Sequence, residues 1–301
     1  MSVQIAGLPP EPAVADEVGP VRSPARLARR VLRNANTLIG GTIVLGIALT
    51  ALVAVFWTPY EPLVVNPAHA LAPSSWSHPF GTDEFGRDVF SRLMAGAKLV
   101  LFSGAVSVGL AAVAGIPIGL VSAMRGGLIE DALMRFVDLI YAFPALLAAI
   151  VLAAALGAST FTAMLAIGIA YIPVFARVTR SGALQVLGSE YVLAARAYRR
   201  GSAAILVRHV LPNIMSTLIV QMSSLFSLAI LAEAGLSYLG LGTPPPASSW
   251  GRMVQEAQSY LSRDPLLVLW PGIFIAVAVL GFNLLGDGLR DVLDPRLRSS
   301  R

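Results

Sequence analysis

The chain has 301 residues, 56% of them hydrophobic and only 13% charged, with a mean hydropathy of +0.73; a water-soluble domain of this size does not carry that composition, so an integral membrane protein is expected. The absence of cysteine excludes a disulfide framework and a thiolate metal site. The net charge of +5 is an arginine excess, which in a membrane protein reports topology rather than a nucleic-acid footprint, and no nucleic-acid partner is expected.

Residues 1–34 are rich in Pro, Ala, Val and Arg without a helical period, and read as a mostly unstructured cytoplasmic tail. Six apolar stretches follow, at 37–57, 99–124, 137–156, 161–176, 214–236 and 265–285. Each approaches the roughly 20 residues a helix needs to cross a bilayer, and helix is the assignment because a lone apolar run in lipid must satisfy its own backbone. The organisation expected is a tail (1–34), a first transmembrane helix with an extracytoplasmic loop (35–97), and a five-helix core (98–301). The first stretch is too long for a signal peptide, and the cleavage-like "AHA" at 68–70 lies too far downstream, so it reads as an uncleaved anchor.

Arginine placement sets the expected orientation. Arg22, Arg26, Arg29, Arg30 and Arg33 precede the first span; Arg125 and Arg135 lie between the second and third; Arg177, Arg180, Arg196, Arg199, Arg200 and Arg208 between the fourth and fifth; Arg290, Arg296, Arg298 and Arg301 after the sixth. Only Arg87, Arg92, Lys98, Arg252 and Arg263 fall on the other side, so both termini are expected in the cytoplasm. Trp57, Tyr60 and Trp270 then sit at the outer boundary, where amphipathic rings collect.

The outer loop contains "GTDEFGRD", with Gly81, Thr82, Asp83, Gly86, Arg87 and Asp88. It matches neither calcium-loop spacing nor a phosphate cradle. Capping of the outer bundle face and contact with an outer partner both fit it, and the sequence leaves the two open. Within the spans, Pro117, Pro144, Pro173 and Pro271 predict helices that do not run straight, and Gly115 with Gly119 predicts a close helix contact.

Two carboxylates stand out, because charge inside a membrane marks function by default. Asp138 follows Arg135 by three residues, on one helix face, and an ion pair near the cytoplasmic surface is preferred there over a proton relay. Glu233 precedes "AGLSYLGLG" near the outer boundary, where snorkelling or capping and solute contact are equally open. No catalytic set appears: His69, His78 and His209 lie in loops, and HExxH, GxSxG and the phosphate-binding GxxxxGK[ST] are all missing. Neither an enzyme nor a metal site is expected.

The polar island "EYVLAARAYRRGSAAILVRHVLPN", residues 190–213, interrupts this apolar chain. At helical period Tyr191, Ala194, Ala195 and Tyr198 share one face, and Arg196, Arg199 and Arg200 another. Ser189 is placed as an N-cap, Glu190 suits the positive helix start, and Gly201 offers a stop. A second short helix is expected from Ser202, with Arg208 and His209 near its end and Pro212 breaking it. A basic helix could grip anionic lipid. The apolar face rests on two alanines, however, which bury little area and favour close insertion into a groove of a partner protein.

The run "AARAYRRGSAAILVRHVLPN" resembles the cytoplasmic coupling loop, the EAA motif, of permease subunits in bacterial ABC importers. "HPFGTDEFGRDVFSRLMAGAK", "DALMRFVDLIYAFPALL", "EAGLSYLGLGTPPPASSWGRM" and "NLLGDGLRDVLDPRLR" resemble the dipeptide/oligopeptide branch of that family, specifically its second permease, the DppC/OppC type. Ala194, Ala195, Arg196, Arg208, His209, Leu211, Pro212 and Asn213 fall in register with the motif. Leu193 stands where a glutamate can occur, Arg199 takes the usual glycine position, and Gly201 follows two residues late. The resemblance implies an all-α type I ABC importer transmembrane domain with six transmembrane helices, in the plasma (inner) membrane of a bacterium. Its implied partners are a homologous second permease, two ATP-binding subunits that carry ATP and Mg, and an extracytoplasmic solute-binding protein, within membrane lipid. No cofactor is implied for the chain itself. The solute implied is a dipeptide or oligopeptide, although similar permeases serve haem or nickel. A proton-coupled secondary transporter using Asp138 or Glu233 is the alternative from another class.

Overall fold

The computed structural model describes residues 34–198 and 200–293, without the side chain of Arg196. Residues 1–33 of the expected tail with their arginines, Arg199 and the arginines at 296, 298 and 301 lie outside the described residues.

The described chain is helical, and its helices follow the apolar stretches. Helix α1 is Ala35–Phe56. The side chain of Asn34 caps it, accepting from the Thr37 N–H at 3.0 Å. Helix α2, Val89–Arg125, is 37 residues long and is capped by Asp88 through the Ser91 N–H. The chain then forms α3 (Gly127–Ala142), α4 (Ala145–Leu156), α5 (Thr160–Leu187), α6 (Glu190–Ala197), α7 (Ser202–Ile205), α8 (Leu211–Tyr238), α9 (Trp250–Ala257) and α10 (Leu266–Leu293).

Among the described residues, five stretches are long and apolar enough to cross a membrane: α1, α2, α5, residues 202–238 and α10. The expected third span, 137–156, is not one straight helix. Its path breaks at Phe143 and Pro144, where α3 and α4 meet at 83°. Phe143 is extended (φ −84°, ψ 122°), the conformation forced on a residue before proline, and Pro144 then opens α4. Pro117, Pro173 and Pro271 by contrast lie inside continuous helices. α2 ends beside the segment of short helices, whereas α5 begins where Thr160 bonds Thr243 at the opposite end. The bent pair therefore carries the chain from one end of the bundle to the other.

Small residues let α2 and α5 run in close contact. A Cβ on Gly115 would lie 2.6 Å from the Phe175 Cβ, and one on Gly119 2.5 Å from the Ala176 carbonyl oxygen. One apolar cluster fills the space among α2, α5 and α8, with Val108, Ile167, Phe175, Ile214, Leu218 and Leu225. A second lies among α1, α2, α8, α9 and α10, with Leu93, Val100, Ile230, Trp250 and Phe282. Phe226 packs against both clusters and stacks on Phe282 at 4.2 Å. Outward faces stay apolar: Leu45, Leu49, Leu52 and Phe56 on α1, and Leu146, Val151 and Leu156 on α4, are exposed. So much apolar surface is stable in hydrocarbon, not in water, and the chain is a multi-pass membrane protein.

Candidate functional site

Residues 188–213 form two short helices at the end of the bundle that also carries Asn34 and Asp291, which share a 3.2 Å hydrogen bond. After α5 stops at Leu187, Ser189 occupies the position before α6, as expected of a cap. Its carbonyl receives the N–H groups of Val192 and Leu193, while its hydroxyl turns back to the Val186 carbonyl. Val192 is fully buried in the α2/α5/α8 cluster and seats α6 on the bundle. The other described side chains of α6 are exposed or half-buried. Glu190, Tyr191 and Ala194 are exposed, Ala195 is half-buried, and Tyr198 just beyond is 85% exposed. The expected small-residue face thus exists, flanked by two tyrosines and open to a partner.

Gly201 does not stop α6 in the left-handed form. The helix ends at Ala197, and Gly201 is extended (φ −61°, ψ 145°), a backbone that any residue adopts, with open space where a Cβ would stand. Its carbonyl receives the Ile205 N–H and starts α7. Pro212 does not break the second helix either. Between α7 and α8, residues 206–210 form a π-helical turn closed by the Leu211 N–H on the Leu206 carbonyl. Proline clashes with the carbonyl four residues back, here that of Arg208, and the wider π turn makes room for it. Asn213 then donates its side-chain N–H to the His209 carbonyl at 2.6 Å. Arg208 is exposed, the rings of His209 and Tyr191 lie 6.3 Å apart, and Leu211, Pro212 and Asn213 begin α8. Residues 202–210 thus run on into α8 as one helical stretch, and α6 follows α5 across Gly188 and Ser189.

Two ion pairs join α3 to α5 nearby. Asp138 meets Arg177 at 2.7 Å, and Arg180 Nε meets Glu130 at 2.6 Å. Arg177 also lies over the Tyr141 ring at 4.3 Å. The partner of Asp138 is therefore Arg177 and not Arg135, which is exposed. Helical spacing makes neighbours of Arg135 and Asp138, but α5 offers a guanidinium that can pair with the carboxylate and stack on Tyr141 together.

At the opposite end, the loop 57–88 folds onto α9. Asp83 accepts from Arg87 Nε at 2.6 Å and from Arg92 Nη1 at 2.5 Å, while Glu256 accepts from Arg92 Nη2 at 2.8 Å and Arg252 Nε at 3.0 Å. Burial would raise the Glu256 carboxyl, but the charge and hydrogen bond of Arg92, then Arg252 and Arg87, hold it below its ordinary value. Glu84 goes the other way, raised chiefly by burial. Asp88 accepts from Ser91 and lies 2.9 Å from His78. Gly81, Thr82, Asp83, Gly86, Arg87 and Asp88 are all buried. Of the two roles left open for this loop, the burial of these six residues fits capping of the bundle, while exposed neighbours such as Tyr60, Val64, Trp76 and Phe85 remain open to an outer partner.

Glu233 neither snorkels nor faces open space. It is 1% exposed, and its Oε1 accepts from the hydroxyls of Ser237 (2.7 Å), Ser249 (2.9 Å) and Thr243 (3.5 Å). Glu256, Ser249 and Trp250, whose indole donates to the Leu93 carbonyl at 2.9 Å, escaped the sequence reading. Of these only Glu256 carried a local signal, its i,i+4 spacing from Arg252. Among the described residues no cluster of three or more His, Cys, Asp or Glu could hold a metal.

Comparison with known proteins gives four findings. Residues 115–299 match the family model described as binding-protein-dependent transport system inner membrane component. The chain is 41% identical over 278 residues to a Brucella abortus protein named for a peptide transport system permease, covering 92% of this chain and 94% of that one. It is 38% identical over 269 residues to the oligopeptide transport system permease protein OppC of Bacillus subtilis, covering 89% and 88%. A chain from inward-facing conformations of the MetNI methionine ABC transporter shares the fold, with a TM-score of 0.56, 18% identity, and coverage of 67% of this chain and 96% of that one.

Proposed function

Because the chain belongs to the family of binding-protein-dependent transport system inner membrane components, we propose that it is the non-catalytic permease subunit of an ATP-driven ABC importer for dipeptides or oligopeptides. The names of its relatives support peptide as the solute. The bent pair α3/α4 counts as one broken span, giving six transmembrane helices with both termini in the cytoplasm of a bacterium, and residues 98–301 as the transporting core. The chain lines half of the pathway in its inner membrane, and a homologous second permease lines the other half.

The observation that carries the reading is the outward face of α6. An eight-residue helix anchored by one buried valine, with Ala194 and Ala195 presented between Tyr191 and Tyr198, fits a groove in an ATP-binding subunit. Two such subunits carry ATP and Mg, and their closure pushes the short helices. Because α6 follows α5 directly in the chain and residues 202–210 run on into α8, that push becomes a rigid-body rotation of both spans. Solute delivered by an extracytoplasmic binding protein then moves inward unchanged. The buried loop network caps the outer side.

The test is uptake by the assembled complex in proteoliposomes. Wild-type uptake of a short peptide requires ATP and the binding protein. Ala194→Asp, which places a carboxylate in a tight interface, lowers uptake at least about tenfold while insertion and solvent-exposed stability are kept. Uptake by this chain alone, driven by a pH gradient without ATPase subunits, contradicts the proposal.

A further inference from the structure

Residues 239–249 form a strap that leaves α8, crosses the end of the bundle and delivers the chain to α9. Its polar groups converge on one atom. Glu233 Oε1 takes the hydroxyls of Ser237, Thr243 and Ser249, and the Ser237 hydroxyl in turn accepts the Thr243 N–H at 3.1 Å. Thr160 at the start of α5 donates to Thr243 Oγ1 at 3.1 Å, which ties a third element to the same point. Backbone packing reinforces it: a Cβ on Gly251 would lie 2.1 Å from the Ala234 carbonyl oxygen, so α9 rests directly on α8 beside Glu233. Beyond the strap, Trp250 fills the space against Gly96 and reaches the Leu93 carbonyl of α2. One carboxylate oxygen thus holds together parts of α8, the strap, α9 and, through Thr243, α5.

The other oxygen does nothing comparable. Among the described residues, Glu233 Oε2 is buried without a hydrogen-bond partner and forms no ion pair. A site built to use a negative charge surrounds both oxygens with donors or a cation. This one uses a single oxygen as an acceptor.

We propose that Glu233 is a positioning residue for transport, which fixes the strap and α9 across the α2, α5 and α8 ends by accepting hydrogen bonds at Oε1, and whose negative charge is not required. Glutamine offers the same acceptor on a side chain of the same length, so it replaces glutamate; alanine removes the acceptor and strands three hydroxyls.

The chain has no cysteine, so Ser248→Cys gives a single reporter in the strap, at a position 7% exposed. The assembled complex in nanodiscs, where both faces are open to reagent, is labelled with a membrane-impermeant maleimide, and peptide uptake is measured in proteoliposomes. In the reporter background, Glu233→Ala labels at least about tenfold faster and Ser249→Ala gives an intermediate rate. Glu233→Gln labels like the parent and keeps its uptake. Should Glu233→Ala not assemble, Ser249→Ala and Glu233→Gln carry the test between them. Two outcomes overturn the proposal: uptake lost in Glu233→Gln, which makes the charge essential, or parental labelling in every variant that assembles, which means the strap is held by other contacts. The labelling arm stands whatever the solute proves to be.

Discussion

At Arg92 one guanidinium bridges Asp83 of the loop and Glu256 of α9 while 2% exposed. Removing it takes a charged hydrogen bond from each carboxylate and leaves Asp83 to Arg87 and Glu256 to Arg252 and Arg87, so Arg92→Met costs about 2 kcal/mol of stability, read as a fall in the unfolding temperature of the purified complex; an unchanged temperature contradicts it. The pH dependence has two opposing parts. Glu256, held below its ordinary value by Arg92, contributes stability that is present above the usual carboxylate range and lost as pH falls through its depressed folded value. Glu84, raised by burial, favours the folded state only at acid pH and loses that contribution as pH rises through its elevated folded value. Glu84→Gln therefore stabilises the complex at pH 7, an advantage that vanishes toward pH 4; greater stability of the wild type at pH 7 contradicts that sign. Of this cluster, Asp83 and Arg87 stood out in the sequence because they share one short motif. Glu256 did not, because nothing local joins it to a loop so distant along the chain.

Among the elements, the α2/α5 contact depends on side chains that are barely there. Gly119→Val places a branched Cβ against the Ala176 carbonyl and Thr179 Cβ. It forces the helices apart at a cost of about 1–3 kcal/mol, measurable as lower yield of folded complex and a lower unfolding temperature, whereas Gly41→Val, where nothing lies within 4 Å, leaves both unchanged. The long spans were legible because hydropathy alone dictates them in lipid. The small-residue contact was legible from the spacing of Gly115 and Gly119. The 83° turn at Pro144 and the π turn before Pro212 were not. Proline announces a disturbance, but whether the helix breaks or widens depends on what packs around it. At Phe143 the chain turns between two largely exposed helices; at Pro212 buried Val210 and Ile214 hold it in line. The pairing of Asp138 with Arg177 was hidden for a related reason, since helical spacing sees one helix at a time.

The whole molecule has two ends joined by long continuous helices. One end presents α6, seated by Val192 with Glu190, Tyr191 and Ala194 exposed; the other carries a loop, a strap and a buried ionic network. α2 and α5 bind those ends into one body through their shared glycine contact, so displacement of the short helices need not be absorbed by slack along the way. The account rests on α6 being the surface that an ATP-binding subunit grips. Its most direct test is a photoactivatable crosslinker attached at Ala194→Cys, the only thiol in this chain, in an assembled complex that hydrolyses ATP and takes up peptide. The account predicts adducts with the ATP-binding subunit whose yield changes on ATP binding; adducts confined to phospholipid in that working complex would contradict it.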